Sequence, residues 1–289
     1  MNNFLQLHKD KIYQHDECLL RKKAKEFYGV KNHPELLIMR CLDIVTSDDG
    51  SIEEAIPGKG QLNATISGIL FGLLNGQYTN KHCTTPIKTH YVGASQNNLT
   101  ECLVKRMAQP IPLEVIVRNQ AYGSFCCNYG TAEGTKFERP TCEFTLKDDT
   151  RNDPTIAEDH IWAAGIATDI EVSHMREVAL AVNQILIGFF QEISIELIDF
   201  KLVFGREQDM IGDYTNLRII GEISPDTCRL RDIKTGACLD KDIFRRGLTV
   251  DNLAKAYNAV SKKMTEYRKR QEESKYGVGA YDKNGNALK

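Results

Sequence analysis

The stretch SHMREVALAVNQILIGFFQEISIELIDFKLVFG, residues 173–205, contains a helical pattern of apolar residues followed by a strand-like one. The fold class follows from these two patterns. In its first part, apolar residues recur every three or four positions with charged residues between them, which predicts the best helix of the chain. These apolar residues are Val178, Val182, Ile185, Phe189 and Ile193. In its second part, apolar and polar residues alternate, which predicts a strand. Together with the strands and helices on either side, this stretch indicates an α+β fold.

The predicted strand IDFKLVFG, residues 198–205, has two different faces. Because side chains alternate along a strand, Asp199, Lys201 and Val203 share one face. The other face, which we assign to the core, consists of Ile198, Phe200, Leu202 and Phe204. An acid and a lysine in the middle of a strand indicate a functional site, and the alternative is a half-buried structural ion pair.

The chain before residue 113 predicts a small antiparallel lobe. Strands are predicted at 18–30, 35–45, 89–94 and 101–107, and one helix at 61–74. The rest predicts a larger α+β lobe, in which strands at 195–205 and 216–223 precede a final helix at 249–273. The predicted division is an N-terminal arm or short helix at 1–14, a small lobe at 15–112, a larger lobe at 113–274 and a flexible tail at 275–289.

The composition excludes several classes of protein. A chain of 289 residues with a net charge of −2 lacks the basic excess of a nucleic-acid-binding protein. Its longest apolar run, ISGILFGLL, is too short to cross a membrane, and the N-terminus does not read as a signal peptide. Nine scattered cysteines without a CxxC pair predict reduced thiols in the cytoplasm, and seven scattered histidines speak against a zinc site.

The segment RKKAK, residues 21–25, is the first of several basic clusters that suit a small anion. On one continuous strand, Arg21, Lys23 and Lys25 would share a face and repel one another unless an anion lay between them. The chain has no GxxxxGK[ST] loop and no GxGxxG motif, so the phosphates of a nucleotide would have to meet side chains. The alternative is a solvated edge strand, on which lysines prevent aggregation.

Three further segments combine cations with turn residues. VIVRNQAYGSF places Arg118 ahead of a Gly123–Ser124 turn, which is suited to a phosphate. RIIGEISPDTCRLRD, residues 218–232, crowds Glu222, Asp226 and three arginines around one strand end. LDKDIFRRG, residues 239–247, adds more charged side chains. These are Lys241, Asp242 and Arg245.

Taken together, these segments resemble the SAICAR synthetase family of purine-pathway ligases. The resemblance is collinear from LLRKKAKEFYG to AYNAVSKKM, and its most specific stretches are PLEVIVRNQAYGSF, LKDDTRNDPTI, IDFKLVFG, EISPDTCRL and LDKDIFRRG. It implies a two-lobed fold related to ATP-grasp enzymes and kinases, with ATP between a small antiparallel lobe and a larger one. It also implies that ATP and Mg²⁺ drive the joining of CAIR, an imidazole carboxylate ribonucleotide, to L-aspartate through an acyl phosphate.

The resemblance further implies roles for individual residues. The ATP-binding set would be Lys23, Ala24, Lys25, Lys105 and Lys201. The CAIR-binding set would be Arg118, Ser124, Arg229, Lys241 and Arg245. Lys147 and Asp153 would border the reacting centre, and the catalytic set would be Asp199, Lys201 and Asp153. Asp199 and Glu222 would be the metal ligands. Family members commonly form homo-oligomers, so a dimer or larger assembly is expected, with small-molecule substrates and neither nucleic acid nor membrane as a partner.

Five positions depart from the family pattern. They are Lys22 in place of glycine, Ala64 in place of asparagine, Val203 and Gly221 in place of acids, and Arg231 in place of tryptophan. Val203 and Gly221 matter most, because the resemblance places magnesium–ATP contacts there and neither side chain offers an oxygen. The acids that could replace them are Asp48, Asp49, Asp199, Glu222 and Asp226.

Three functions therefore stay open at the level of the sequence. The first is an active SAICAR synthetase with a rearranged metal site. The second is a ligase or phosphotransferase of the same fold with altered substrates. The third is a catalytically impaired protein that binds a purine-pathway nucleotide without turning ATP over.

Overall fold

A computed structural model of the protein describes residues 4–8, 11–47, 52–76, 82–83, 85–207 and 216–275. Within them, the small lobe consists of eight strands and one helix. These are β1 (Phe4–His8), β2 (Lys11–Lys22), β3 (Lys25–Val30), β4 (Leu36–Cys41), β5 (Ile44–Ser47), β6 (Ile52–Ala55), α1 (Lys59–Leu74), β7 (Tyr91–Ala94) and β8 (Glu101–Lys105). Six of the strands form an antiparallel sheet in the order β1-β2-β3-β4-β8-β7, and β5 and β6 form a separate hairpin.

The larger lobe is built around one long central strand. Its elements are β9 (Gln109–Pro110), β10 (Leu113–Gln120), α2 (Ser124–Tyr129), β11 (Lys136–Leu146), β12 (Thr155–Ile156), α3 (Glu158–Ala163), α4 (Asp169–Glu192), β13 (Ile195–Glu207), β14 (Asn216–Ile220), β15 (Cys228–Asp232), α5 (Asp242–Arg245) and α6 (Val250–Lys275). The sheet runs β12-β11-β10-β13-β14, and β15 and β9 also pair with β13. The predicted α+β fold is therefore confirmed.

The stretch at 173–205 forms the predicted helix and strand. The helix α4 begins with a capping box, in which Thr168 and Glu171 satisfy each other's backbone N–H groups. Val182, Ile185 and Phe189 are buried on its inner face. On β13, Phe200 is in the core while Lys201 and Val203 are half-buried on the opposite face, as the alternation predicts.

Two predictions about the start of the chain are wrong. Residues 4–8 and 11–14 do not form a short helix, because β1 and the beginning of β2 pair as antiparallel strands. The segment 18–30 is not one continuous strand. It turns at Lys23 and Ala24, so Lys22 lies opposite Lys25 in a hairpin and the alternation of Arg21, Lys23 and Lys25 does not hold. The turn lacks the glycine that usually announces a hairpin, and Lys23 itself adopts the left-handed φ of 48°.

Other predicted elements differ from the structure in their continuity or in their ends. The predicted strand at 35–45 is divided between β4 and β5, which belong to different sheets. The helix predicted at 61–74 begins two residues earlier, at Lys59. The final helix ends at Lys275, so the rest of the predicted tail, residues 276–289, lies outside the described residues, as do Asp48 and Asp49.

A second, small hydrophobic cluster lies on the face of the small-lobe sheet away from the main core. Its buried centre consists of Val30, Ile38 and Leu103. Leu7 of β1 packs against this centre and approaches Gly93 of β7 so closely that a Cβ on Gly93 would lie 3.0 Å from the Leu7 Cδ2 atom. The first strand of the chain therefore reaches the far edge of the sheet and helps to close it.

Two predictions from the composition can be compared with the structure. All nine cysteines are free thiols. In the part of the chain that the structure describes, none of the helices has the length and hydropathy that a membrane crossing requires.

Candidate active site

The side chain of Asp199, on β13, is the centre of a buried ionic cluster. Its Oδ2 atom accepts hydrogen bonds from Arg118 Nη1 at 3.0 Å and from Arg229 Nη1 at 2.7 Å. Both arginines come from neighbouring strands, because Arg118 pairs with Asp199 between β10 and β13 and Arg229 pairs with it between β15 and β13. The three side chains are therefore held in place by the ladder of the central sheet.

Further contacts extend this cluster towards the surface. Arg118 Nη2 donates to Ser124 Oγ at 2.9 Å, and Arg229 Nε donates to Asp242 Oδ2 at 2.7 Å. Asp242 also accepts from Arg245 Nη1 at 2.6 Å. The structure thus brings four members of the predicted CAIR-binding set together. They are Arg118, Ser124, Arg229 and Arg245.

Gly123 is required by the close approach of Arg229. A Cβ at this position would lie 2.5 Å from the Nη2 atom of Arg229, and the backbone φ of 55° is in the left-handed region. A side chain at residue 123 would therefore displace the guanidinium group from the start of α2. This explains the order of arginine, glycine and serine in the sequence motif.

A second cluster consists of lysines around Glu114 of β10. One of them, Lys201, is two residues along β13 from Asp199, the centre of the first cluster. Lys201 Nζ donates to Glu114 Oε2 at 2.5 Å, and Lys147 Nζ lies 3.7 Å from Glu114 Oε1. Burial would raise the pKa of Glu114, but these two lysines hold it below its ordinary value. The pKa of Lys147 is lowered, first by burial and then by Lys23 and Lys25 of the hairpin, against the opposing effect of Glu114.

Asp153 lies beside this lysine cluster. Its Oδ1 atom accepts a hydrogen bond from the Asp148 backbone N–H at 2.8 Å, and its own φ is 44°. The pKa of Asp153 is raised, first by burial and then by the negative charge of Glu114. A carboxylate with a raised pKa is a stronger base, which suits the reacting-centre position predicted for Asp153.

Lys25 and Glu222 form a buried ion pair between the two lobes. Burial opposes the charge of Lys25, but Glu222 more than offsets this effect and the pKa of Lys25 lies above its ordinary value. The other oxygen of Glu222, Oε2, is buried and has no hydrogen-bond partner among the described residues. A buried acceptor without a donor is destabilising, so this oxygen is suited to a group that a ligand brings.

The residues around Asp226 form the third part of the site, and the sequence prediction missed most of them. Asp226 accepts from Lys59, from Asn63 Nδ2 at 2.6 Å and from the Tyr257 hydroxyl at 2.7 Å. Burial would raise the pKa of Asp226, but Lys59 and Lys241 hold it well below its ordinary value. Lys59 is in the first turn of α1 and almost fully buried, and a single lysine ahead of a helix rich in apolar residues gives no sequence signal of this contact.

Lys241 lies between this group and the arginine cluster. Burial lowers its pKa to about 8, against the effect of Asp226 and with a further contribution from Arg245. Its Nζ atom lies 3.5 Å from Thr46 Oγ1. Lys241 is therefore the predicted CAIR-binding cation that loses its charge most easily.

Lys105 is placed apart from the other predicted nucleotide-binding lysines. Its Nζ atom donates to Glu207 Oε1 at 3.1 Å, and Glu207 also accepts from Arg218 Nε at 2.6 Å. Lys105 is the last residue of β8, and Glu207 is the last of β13. Ala24, in the hairpin turn, accepts a hydrogen bond from the Leu42 backbone N–H at 2.9 Å.

The two positions at which the sequence lacks an expected acid are next to each other in space. Val203 of β13 pairs with Ile220 of β14, and Gly221 follows with a φ of 80°. No atom of the described residues lies within 4 Å of a Cβ built on Gly221, so its side faces open space. The Gly221 carbonyl accepts from the His90 ring at 3.1 Å, and burial lowers the pKa of His90 to about 4, which keeps this ring neutral.

The other three residues that depart from the family pattern lie in different surroundings. Arg231 donates to Asp240 Oδ2 at 2.6 Å, and its guanidinium carbon lies 5.2 Å from the centre of the Tyr122 ring. Ala64 is buried inside α1. Lys22 ends β2 at the hairpin tip, where its side chain is exposed.

The sequence profile described as SAICAR synthetase matches residues 19–264, which include every site residue described above. The chain belongs to the SAICAR synthetase family. A phosphoribosylaminoimidazole-succinocarboxamide synthase from Finegoldia magna is 40% identical over 250 residues, which cover 86% of this chain and 99% of that protein. Homologues of this name are enzymes, and this chain is accordingly an ATP-dependent ligase of the SAICAR synthetase family.

Solved SAICAR synthetases have the same fold. The crystal structure of the synthase from Ehrlichia chaffeensis superimposes with a TM-score of 0.77 at 35% identity, covering 86% of this chain and 98% of that one. A SAICAR synthetase solved in complex with ADP superimposes with a TM-score of 0.74 at 36% identity, covering 86% and 97%. Residues 1–18 precede the match to the family profile, and among them residues 4–8 form β1 and residues 11–18 belong to β2.

Proposed function

We propose that this protein joins CAIR, 5-amino-1-(5-phosphoribosyl)imidazole-4-carboxylate, to L-aspartate and forms SAICAR, ADP and phosphate. The observation that carries the proposal is the position of Asp199 and Lys201 on one face of β13. Asp199 orders the arginine cluster and Lys201 belongs to the lysine cluster, about 7 Å further along the strand. Two anions can therefore be held side by side, with the carboxylate of one close to the terminal phosphate of the other.

The arginine cluster supports binding of the CAIR ribose-phosphate. Arg229 and Arg245 keep part of their side chains accessible and can offer N–H donors, and Ser124 Oγ lies at the start of α2. Arg118 is itself buried and holds Ser124 in position. Guanidinium groups bind phosphate through paired hydrogen bonds, and their partners Asp199 and Asp242 fix their orientation before substrate arrives. Lys241 adds a cation on the side of the cleft that faces Asp226.

The lysines of the hairpin and of the larger lobe support binding of ATP. Lys23 and Lys25 would contact the phosphates from the small lobe, while Lys201 and Lys147 would contact the terminal phosphate from the opposite side. Lys105 would lie further out, towards the adenine. The assignments of Lys23, Lys25, Lys147 and Lys201 rest on the resemblance and on the charges that these lysines exert around Glu114 and Lys147. The assignment of Lys105 rests on the resemblance alone.

A carboxylate resists attack by an amine until one of its oxygens becomes a leaving group. In the proposed reaction, a CAIR carboxylate oxygen attacks the terminal phosphorus of ATP, and the bond from that phosphorus to ADP breaks. Lys201 and Lys147 neutralise the transferred phosphoryl group, and Glu114 fixes both lysines in position. The aspartate amine then attacks the acyl phosphate, phosphate leaves, and Asp153 accepts the amine proton.

The resemblance implies magnesium, and the side-chain oxygens of this site differ in their ability to bind it. Among the residues that the structure describes, Glu222 Oε2 is buried without a hydrogen-bond partner and fits such an ion, whereas Asp199 Oδ2 already accepts from two arginines. The described residues contain no group of three His, Cys, Asp or Glu side chains that could hold a metal. Glu222 would therefore be the main protein ligand, and nucleotide phosphates and water would complete the coordination. When bound, the ion would neutralise phosphate charge.

Two further parts of the proposal concern the setting of the reaction. Free thiols at all nine cysteines support a cytoplasmic protein. A homo-oligomer stays a prediction from the resemblance. The substrates are small molecules, and a net charge of −2 gives no support for a nucleic-acid partner.

The lack of side-chain oxygens at Val203 and Gly221 favours a second candidate, a protein of this fold that binds the ligands without efficient turnover. The deciding experiment supplies purified protein with ATP, CAIR and L-aspartate at magnesium concentrations from none to excess. ADP release is followed and the product is identified by its mass. Formation of the succinocarboxamide is the expected result. Binding of CAIR without any product would favour the second candidate, and a product from another amino acid would identify altered substrates.

A further inference from the structure

The tip of the β2–β3 hairpin is built in a way that is unfavourable without a ligand. Lys22 and Lys25 occupy directly opposite positions of the antiparallel ladder, where like charges repel. Between them, Lys23 adopts a φ of 48°, a conformation that residues other than glycine and asparagine disfavour. Three lysines thus occupy a turn of four residues, next to the cleft between the lobes.

These lysines face the cations of the larger lobe. Lys22, Lys23 and Lys25 all act on Lys147, which lies with Lys201 beside Glu114. The carboxylates that act on members of this group include Glu114, Asp153, Glu222 and Asp226. Lysines of the hairpin and of the larger lobe nevertheless converge on one place, and a polyphosphate can relieve their mutual repulsion.

The opposite wall of the cleft has few negative groups among the residues that the structure describes. Val203 is half-buried and pairs with Ile220, and Gly221 has only open space beside it. Glu222 is paired with Lys25 through Oε1, and its Oε2 atom has no hydrogen-bond partner in the described part of the chain. One protein oxygen binds a magnesium ion more weakly than several oxygens do. The lysines therefore have to neutralise more of the phosphate charge.

We propose that Lys22 is a phosphate ligand of the nucleotide, and that the hairpin lysines neutralise enough charge for ADP and ATP to bind without magnesium. This inference rests on the proposed function, since it takes the nucleotide as the ligand of the cleft. It assigns a role to a lysine at a position where the family pattern has glycine, and it links that lysine to the acids missing at 203 and 221.

The test measures the dissociation constants of ADP and ATP by calorimetry on the full-length protein, in excess EDTA and in excess magnesium. For the unaltered protein we expect the two conditions to differ by no more than about threefold. In EDTA, Lys22→Gln is expected to weaken ATP binding roughly tenfold, because one charge-assisted contact is lost. Lys22→Arg should retain most of the affinity.

A matched control is Lys31→Gln. Lys31 is an exposed lysine of the same lobe, at the other end of β3, and its loss should leave nucleotide affinity unchanged. A complementary variant is Val203→Glu, which places a carboxylate on the face of β13 that carries Lys201. It should weaken binding in EDTA by repelling phosphate and strengthen it in magnesium by adding an oxygen ligand.

The outcomes separate this inference from the proposed function. Nucleotide binding that requires magnesium, or that is unaffected by Lys22→Gln in EDTA, overturns the inference alone. If the nucleotide affinity of Val203→Glu is the same in EDTA and in magnesium, the account of charge neutralisation is contradicted. Absence of nucleotide binding under both conditions, in protein that still binds CAIR, overturns the inference together with ATP as the cosubstrate.

Discussion

Arg229 and Asp199 pair across the β13–β15 ladder, and Arg229 Nη1 donates to Asp199 Oδ2 at 2.7 Å. The same carboxylate oxygen holds Arg118 at 3.0 Å, and Asp242 holds Arg229 from the other side at 2.7 Å. The pKa of Arg229 is raised above its ordinary value because Asp199 and Asp242 outweigh the effect of burial. Arg229 is therefore a rigid, permanently charged donor at the floor of the proposed CAIR site.

Replacing Arg229 should separate the two halves of the cleft. We expect Arg229→Ala to weaken CAIR binding by roughly 100-fold, because a charged donor is lost and Asp199 loses one of its two partners. ADP affinity should change little, since the lysines of the hairpin are not disturbed. Calorimetric titration with each ligand gives the two values.

Arg229→Lys is the control for a folding defect, because it retains the positive charge of the cluster and removes only the paired N–H donors of the guanidinium group. Arg139→Ala removes an exposed arginine from β11 and should leave both affinities unchanged. Equal losses of CAIR and ADP affinity in a folded Arg229 variant would contradict the division of the cleft.

Much of the larger lobe could be predicted because its signals are local. The period of α4 and the alternation on β13 follow from which residues face the core, and Asp199 and Lys201 stand on the face that the sequence assigns to them. The hairpin tip could not be predicted in the same way. Lys23 adopts a left-handed φ without the glycine that usually marks such a turn, so the residue types do not indicate where the chain reverses.

Several site residues could not be found from spacing along the chain. Glu114 lies on the core strand β10 and reads as part of a hydrophobic run, yet it contacts Lys201 across the sheet. Lys59 and Asn63 meet Asp226 over more than 160 residues of sequence. Such contacts depend on how the two lobes come together. A single sequence contains no signal for contacts between residues so far apart along the chain.

Glu114→Gln should affect turnover and nucleotide binding in opposite directions. Removal of this negative charge from between Lys201 and Lys147 should strengthen ATP binding, because both lysines become available to phosphate. The turnover number should fall by roughly 100-fold, since the lysines lose the group that positions them. Steady-state kinetics and ATP titration check the two effects, with Glu196→Gln, at an exposed ion pair with Lys136, as the control. A parallel fall in affinity and turnover would contradict a positioning role.

The first strand should contribute to stability and not to chemistry. Leu7→Ala removes a half-buried side chain from the small cluster of Val30, Ile38 and Leu103. We expect the free energy of unfolding to fall by about 1–2 kcal/mol, as for a partly buried leucine, with the KM for ATP unchanged. Leu99→Ala, at a site where 53% of the residue is exposed, should cost much less in the same denaturant titration. Equal effects of the two substitutions would mean that β1 does not close the sheet.

Lys241 should make CAIR binding depend on pH. Burial lowers the pKa of Lys241 from 10.5 to about 8, so the folded site carries this positive charge below that pH and loses it above. The substrate phosphate favours the protonated lysine, and CAIR affinity should therefore fall as the pH rises through about 8, by up to tenfold per pH unit. Titrations from about pH 6.5 to 9.5 measure this fall. Lys241→Arg should abolish it, because a guanidinium group stays charged over that range. A fall that persists in Lys241→Arg would assign the titration to another group in the cleft.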